Sequence, residues 1–253
     1  MDMPRNQFKR RLGEPGVQYG IWVSLADAVA AEISAGAGFD WLVIDGEHSP
    51  NDIRSSLAQL QAVQASEVSP IARIVRGDTH RVKHHLDIGF QTILVPMVDT
   101  AEHAAEMARA LRYPPAGVRG VATTRAARWG RVENYHGQAN DEVCLVIQIE
   151  TQRAIDNLDE MLRVEGVDAF FIGPSDLAAA LGHLGQPSAP AVRAAVVDLI
   201  GRIRDAGRPC GVLATTPETA AEYRSAGANF IGVAVDTALL ARATSAIADQ
   251  YLS

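Results

Sequence analysis

The 253-residue chain is expected to fold as an α/β protein of the (β/α)8 TIM-barrel class, as one domain spanning 1–253, on three observations. Eight short apolar runs recur along it; helix-like stretches with apolar residues three to four apart separate them; and the length matches the roughly 250 residues of one such barrel. The punctuation agrees, because Ala35-Gly36-Ala37-Gly38-Phe39, Leu86-Asp87-Ile88-Gly89-Phe90 and Ala226-Gly227-Ala228-Asn229-Phe230 each end a helix on glycine and open a strand on an apolar residue.

In chain order, the first strand is expected at Val17 to Trp22 and the first helix at Leu25 to Ala35. Trp41 to Ile44 follows as a continuous apolar run, the mark of a strand buried on both faces, and then a helix at Ile53 to Val63. The third unit pairs Ile71 to Val75 with Arg81 to Leu86, and the fourth Thr92 to Pro96 with Ala101 to Leu111. The fifth, Val143 to Ile149, leads to a helix at Ala154 to Leu162, and the sixth, Ala169 to Ile172, runs through a turn to Ala191 to Ala206. Cys210 to Leu213 with Glu218 to Ala226, and Phe230 to Val233 with Ala238 to Leu252, complete the eight. One connection is too long for the pattern. Between Leu111 and Asp141 the chain is irregular or weakly helical and carries Arg119, Arg125, Arg128, Arg131, Trp129 and Tyr135, which reads either as a solvated or subunit-packing loop or as an electropositive lid for an acidic substrate, over its own site or a neighbouring subunit's.

Composition excludes several classes. A net charge of −7 repels phosphate backbones and anionic lipid, so neither nucleic acid nor a membrane is an expected partner. Met1 to Arg11 holds no apolar stretch of signal-peptide length, and Cys144 and Cys210 both lie in apolar runs as small buried hydrophobes; a reducing, cytoplasmic setting is expected. No phosphate-cradling glycine fingerprint appears, so no nucleotide cofactor is implied. His80 and His84 share a helical face but lack a third ligand.

Chemistry concentrates at the strand ends, the face on which such barrels place their active sites. Val146-Ile147-Gln148-Ile149-Glu150 and Phe170-Phe171-Ile172-Gly173-Pro174-Ser175-Asp176 each run an apolar strand into a carboxylate. Glu150 and Asp176 form an oxygen pair suited to Mg²⁺, Mn²⁺ or Co²⁺; alternatively each caps the helix that follows. Arg73 has the inward parity of Ile71 and Val75, and an unpaired charge there would be costly. Its fork binds either a substrate oxyanion or a core acid such as Asp45. His48, in the turn Asp45-Gly46-Glu47-His48, is the candidate general base, since imidazole titrates near neutrality. Gly173-Pro174-Ser175 opens a helix whose first N–H groups suit a carboxylate.

Gly38-Phe39-Asp40-Trp41 through Ile44-Asp45-Gly46-Glu47-His48, Val95-Pro96-Met97-Val98-Asp99-Thr100, Arg119-Gly120 with Arg125-Ala126-Ala127-Arg128-Trp129-Gly130, and Phe171-Ile172-Gly173-Pro174-Ser175-Asp176-Leu177 together resemble the metal-dependent class II pyruvate aldolases, of the 4-hydroxy-2-oxoheptanedioate and 2-dehydro-3-deoxyglucarate aldolase type. The resemblance spans roughly Gly20 to Leu239. It implies reversible aldol cleavage of 4-hydroxy-2-oxo acids to pyruvate and an aldehyde through a metal-stabilised enolate. In it, Glu150 and Asp176 hold the metal, His48 is the base supported by Asp45 or Asp87, Arg73 holds the keto oxygen, and Trp22, Gln148, Gly173, Ser175 and Leu213 line the pocket. Relatives often carry alanine where Ser175 stands. The resemblance also implies a homo-oligomer, a hexamer built as a trimer of dimers, with the last helix exchanged between subunits. Lys9 and Lys83 are the only lysines and neither suits a Schiff base, which agrees with a metal mechanism. The other readings are a CoA-thioester lyase of the malyl- or citramalyl-CoA kind and a non-catalytic oxoacid-binding barrel.

Overall fold

The computed structural model describes residues 1–252, in which eight parallel strands pair in chain order and β8 closes onto β1. They are β1 (Gln18–Val23), β2 (Trp41–Asp45), β3 (Ser69–Arg73), β4 (Thr92–Val95), β5 (Cys144–Ile149), β6 (Ala169–Ile172), β7 (Cys210–Leu213) and β8 (Phe230–Val235). The helices are α1 (Gln7–Arg11), α2 (Ala28–Ala35), α3 (Ile53–Ala62), α4 (Thr79–Ile88), α5 (Ala101–Leu111), α6 (Tyr135–Glu142), α7 (Gln152–Asp156), α8 (Leu158–Met161), α9 (Pro174–Ala180), α10 (Pro190–Asp205), α11 (Pro217–Ala226) and α12 (Asp236–Leu252). No described helix is long and apolar enough to cross a membrane.

Strand alternation sorts the side chains into two cores. Leu42, Ile44, Ile93, Val95, Leu145, Ile147, Phe170 and Ile172 face outward under the helices, while Trp41, Val43, Ile71, Leu94, Val146, Phe171 and Phe230 fill the barrel. The interior rings are large, and two strand glycines make room for them. A Cβ at Gly20 would lie 2.1 Å from the Trp41 ring, and one at Gly211 2.2 Å from Phe230. The strand-start end is closed by α1, whose Phe8 is fully buried and meets Phe230 edge-on at 5.3 Å. Asn6 caps α1 and donates its backbone N–H to Glu142 at 2.7 Å, tying this floor to the last residue of α6.

The eight expected strands are present, two with the expected bounds and six with bounds displaced by one or two residues. β3 stops at Arg73, and Val75, expected to share its inward parity, is 45% exposed. Three helices depart from expectation for local reasons. α9 has only seven residues, too few for a periodic signal, although Gly173 and Pro174 mark its start. The helix expected over Ala154 to Leu162 is divided at Asn157, whose side chain donates to Asp99 O. The long connection contains a 3₁₀ segment at Arg125–Gly130 and then α6, which buries just Tyr135, Ala139 and Glu142.

Candidate active site

The inward parity that packs the barrel interior brings polar residues to its C-terminal mouth. Asp45 follows Val43, Arg73 follows Ile71, and Gln148 and Glu150 continue the series from Cys144 and Val146. All four are buried, with Asp45 at 1%, Gln148 and Glu150 at 2% and Arg73 at 8% exposure. Asp45 and Arg73 are register partners on adjacent strands, and their side chains form a fork: Nε donates to Oδ1 and Nη2 to Oδ2, each at 2.7 Å. The third guanidinium nitrogen, Nη1, lies 2.9 Å from Glu47 Oε2, and the Trp22 ring centroid is 5.8 Å from Cζ. The internal partner that the sequence left as an alternative for Arg73 is therefore present. A guanidinium has five N–H donors, and the two hydrogen bonds to Asp45 leave three, on Nη1 and Nη2.

Asp45 is held in turn. Its Oδ1 accepts the N–H of Glu47 at 3.0 Å and of His48 at 3.4 Å, and its backbone carbonyl accepts the Asn51 amide at 2.7 Å. Burial works to raise its pKa, but the Arg73 hydrogen bond and charge outweigh it and hold the carboxyl below its ordinary value. Glu47, not singled out as a site residue by the sequence motifs, lies beside the same guanidinium with its side chain 13% exposed. Burial pushes it up to about 6, with the charges of Asp45 and Asp176 adding to the rise and Arg73 opposing it.

The strings that carry Glu150 and Asp176 lie on neighbouring strands. Ile149 and Ile172 are register partners, so the two chains emerge side by side, and the Asp176 charge is felt at Glu150. Glu150 Oε1 accepts the Met97 N–H at 2.7 Å, and Oε2 accepts the Gln148 amide. Burial pushes the Glu150 carboxyl up to about 7; Asp176 and Glu47 push the same way, against the Met97 and Gln148 hydrogen bonds. Gln148 Oε1 is buried without a partner. Crowded carboxylates with an orphaned amide oxygen are the donor set a hard divalent cation neutralises, so the residues fit one, which Glu150 and Asp176 would hold. Among the described residues no group of three or more His, Cys, Asp or Glu is placed to hold a metal ion by itself.

The pocket positions fall around this centre. Trp22 is buried on β1 and Leu213 ends β7; a Cβ on Gly232 would touch both, at 2.8 and 3.1 Å. Gly173 caps α9 and approaches so closely that a Cβ would sit 2.6 Å from Glu150 Oε2. Ser175, in the first turn of α9, is exposed at the mouth.

Three expectations are placed differently. The His48 ring is 62% exposed, and its nearest carboxylate is Glu47 at 3.8 Å; Asp45 meets its backbone N–H and not its ring. Asp87 lies at the far end of α4, which runs back toward the strand starts, and it pairs with the buried Arg119 at 3.2 Å, so within this chain it does not support His48. The long connection joins a helix end to a strand start and therefore lies at the opposite end of the barrel from the mouth. Arg119 stacks on Tyr113 at 4.5 Å and Arg125 donates to Ile88 O, so these arginines anchor the segment and form no lid over the chain's own site. His80 and His84 are both exposed on α4.

The sequence profile of the HpcH/HpaI aldolase/citrate lyase family matches residues 18–243. A hydroxypyruvate/pyruvate aldolase of Deinococcus radiodurans is 52% identical over 253 residues, covering 99% of this chain and 91% of that protein. A 4-hydroxy-2-oxo-heptane-1,7-dioate aldolase of Escherichia coli is 48% identical over 248 residues, covering 97% and 95%. Among solved structures, an HpcH/HpaI aldolase/citrate lyase family protein from Burkholderia cenocepacia superposes with a TM-score of 0.93 at 38% identity, over 98% of this chain and 100% of that one.

Proposed function

The chain belongs to the HpcH/HpaI aldolase/citrate lyase family, and from that premise we propose that it catalyses the reversible aldol cleavage of 4-hydroxy-2-oxo acids to pyruvate and an aldehyde. It is an aldolase, a carbon–carbon lyase. The observation that carries the mechanism is the convergence of the Arg73 fork and the Glu150–Asp176 pair on one barrel mouth.

The hard step is proton loss from the pyruvate methyl group, because the negative charge that appears on the keto oxygen must be stabilised. A divalent ion held by Glu150 and Asp176 would supply Lewis-acid stabilisation of that oxygen. Arg73 supplies the second contribution. Asp45 locks two of its nitrogens, so the free N–H groups are already aimed, and a preorganised donor of this kind is worth about 3 kcal/mol in the transition state. Ser175 and Asp176 N–H groups at the start of α9 bind the substrate carboxylate, and Trp22 with Leu213 forms the apolar wall beside the methyl group. His48 takes the methyl proton, with Glu47 as its nearest acidic neighbour in this chain.

The same reading extends to assembly. In the 17-residue α12 only Asp236 is buried, while Leu239, Leu240, Ile247, Tyr251 and Leu252 are exposed, together with Val29 and Ile33 on α2. Such apolar surface favours packing of α12 on a second copy within a homo-oligomer, in the hexameric arrangement the resemblance implies.

Deuterium exchange at the pyruvate methyl group, with and without Mg²⁺, Mn²⁺ or Co²⁺, tests the chemistry without knowledge of the aldehyde. Exchange is expected only with a divalent ion and is expected to vanish in Glu150→Ala, Asp176→Ala and His48→Ala. Full exchange after exhaustive chelation would refute the metal role, and turnover of CoA thioesters without turnover of free acids would favour the thioester lyase instead.

A further inference from the structure

Glu150 is oriented from outside its own strand. β4 ends at Val95, and two residues later Met97 adopts a left-handed conformation at φ 52°, which non-glycine residues seldom take without a reason. The Met97 side chain is 50% exposed and does not belong to the described hydrophobic clusters, so packing does not explain the conformation. What the conformation achieves is the 2.7 Å hydrogen bond from Met97 N–H to Glu150 Oε1.

A second tie holds the same two segments together. Thr151, next to Glu150, donates its hydroxyl to Asp99 Oδ1 at 2.5 Å, Asn157 donates to Asp99 O at 2.8 Å, and Thr151 also caps α7 through the Ala154 N–H at 3.0 Å. The β4–α5 connection is thereby clamped to Glu150 and to the segment that follows it. A carboxylate offers about four acceptor positions. The Met97 N–H occupies one on Oε1 and the Gln148 amide one on Oε2, so each oxygen keeps one position free.

We propose that Met97, through its backbone N–H, and the Asp99–Thr151 bond are positioning elements that set the plane of the Glu150 carboxylate for a divalent cation. The proposal rests on the metal reading given above. The left-handed turn at Met97 is the local cost of placing a main-chain donor, which cannot rotate away, against a ligand that must not move.

Mn²⁺ binding to the full-length protein, measured by titration calorimetry and by the loss of the free-ion electron paramagnetic resonance signal, tests this without reliance on turnover. Met97→Gly retains the N–H and takes positive φ freely, so its Kd is expected to stay within about threefold of the parent. Met97→Val puts a β-branched residue where positive φ is strongly disfavoured, and Asp99→Ala removes the acceptor of the Thr151 hydroxyl; each is expected to weaken Mn²⁺ by about tenfold or more, whereas Thr151→Ser, which keeps the hydroxyl, should bind Mn²⁺ like the parent. Folded Met97→Val or Asp99→Ala protein that binds Mn²⁺ like the parent would overturn the proposal. If Met97→Val does not fold, Asp99→Ala decides. A parent protein that exchanges pyruvate protons but binds no Mn²⁺ would instead overturn the metal reading, and the proposal with it, so the two failures are distinguishable.

Discussion

Replacing Gly173 by alanine adds a single methyl group at the point where α9 passes the Glu150 carboxylate. The backbone there, φ −95° and ψ 94°, is open to any residue, so the perturbation acts through space alone. The new Cβ would lie 2.6 Å from Glu150 Oε2 and 2.9 Å from Gln148 Nε2, where ordinary contact begins at 3.4 Å. The carboxylate would have to retreat by about 0.8 Å, more than the ~0.5 Å within which a functional constellation must be held. It has nowhere easy to go, since both oxygens are already bound and the side chain is 2% exposed. Displacing a ligand through its neighbours typically costs 10- to 100-fold in metal affinity, about 1.4 to 2.7 kcal/mol. Overpacking costs about 1–3 kcal/mol of stability, a loss a barrel of this size should survive. The assay is Mn²⁺ titration calorimetry of Gly173→Ala beside the parent, with circular dichroism to show that the variant is folded. A folded variant whose Mn²⁺ affinity is within twofold of the parent would refute the argument that this close approach sets the ligand geometry.

Phe8→Ala should lower unfolding free energy by about 3–5 kcal/mol in urea, because Phe8 is fully buried among the rings of Trp41 and Phe230; a loss below about 1 kcal/mol would show that α1 does not close the barrel floor. Arg73→Lys keeps the charge but loses the fork to Asp45, and kcat for pyruvate methyl exchange should fall by about 100-fold or more; a fall under threefold would remove Arg73 from the reaction. For Glu142, burial works to raise the pKa, but the Asn6 N–H and the Arg5 and Arg10 guanidinium groups together hold it below its ordinary 4.5. A depressed carboxyl stabilises the folded state above its unfolded pKa and loses that contribution as pH falls through the folded one. The stability gap between the parent and Glu142→Gln should therefore be constant above about pH 5 and close below about pH 4.5, and a gap independent of pH would sink the assignment. Removing residues 239–253 should shift the oligomer to a smaller species in light scattering, and an unchanged mass would exclude α12 from the interface.

Fold class was legible because a parallel barrel writes the same sentence eight times. Buried strands give apolar runs, and helix-ending glycines such as Gly89 and Gly227 announce the next one; both take φ near 110°, which only glycine adopts cheaply. Illegible parts were short or one-sided. α1 is five residues whose single buried side chain, Phe8, is recognisable as a plug only once the interior it enters is known. α6 is anchored by Tyr135 and Glu142, and Glu142 answers to Asn6 more than 130 residues away, a pairing no local pattern encodes.

The site divided along the same line. Residues on inward strand parity could be read off the chain, because alternation from Val43 to Asp45, Ile71 to Arg73 and Val146 through Gln148 to Glu150 leaves each polar side chain nowhere to point but the mouth. Roles that depend on a turn could not. His48 follows Asp45 by three residues, yet its ring faces solvent, because Asp45 spends its carboxylate on Arg73 and on the backbone N–H groups of Glu47 and His48. Asp87, which the resemblance offered as a support for His48, is engaged by Arg119, a partner supplied by the long connection. Parity fixes the direction of a side chain, whereas a carboxylate's allegiance is settled by whichever cation reaches it first, and that cation comes from a distant part of the chain at Asp87 and from the neighbouring strand at Asp45. His48, proposed above as the base, meets a single carboxylate in this chain, Glu47 at 3.8 Å, through a ring that is 62% exposed, so the proton-transfer group is the part of the proposed constellation most open to completion by a second subunit.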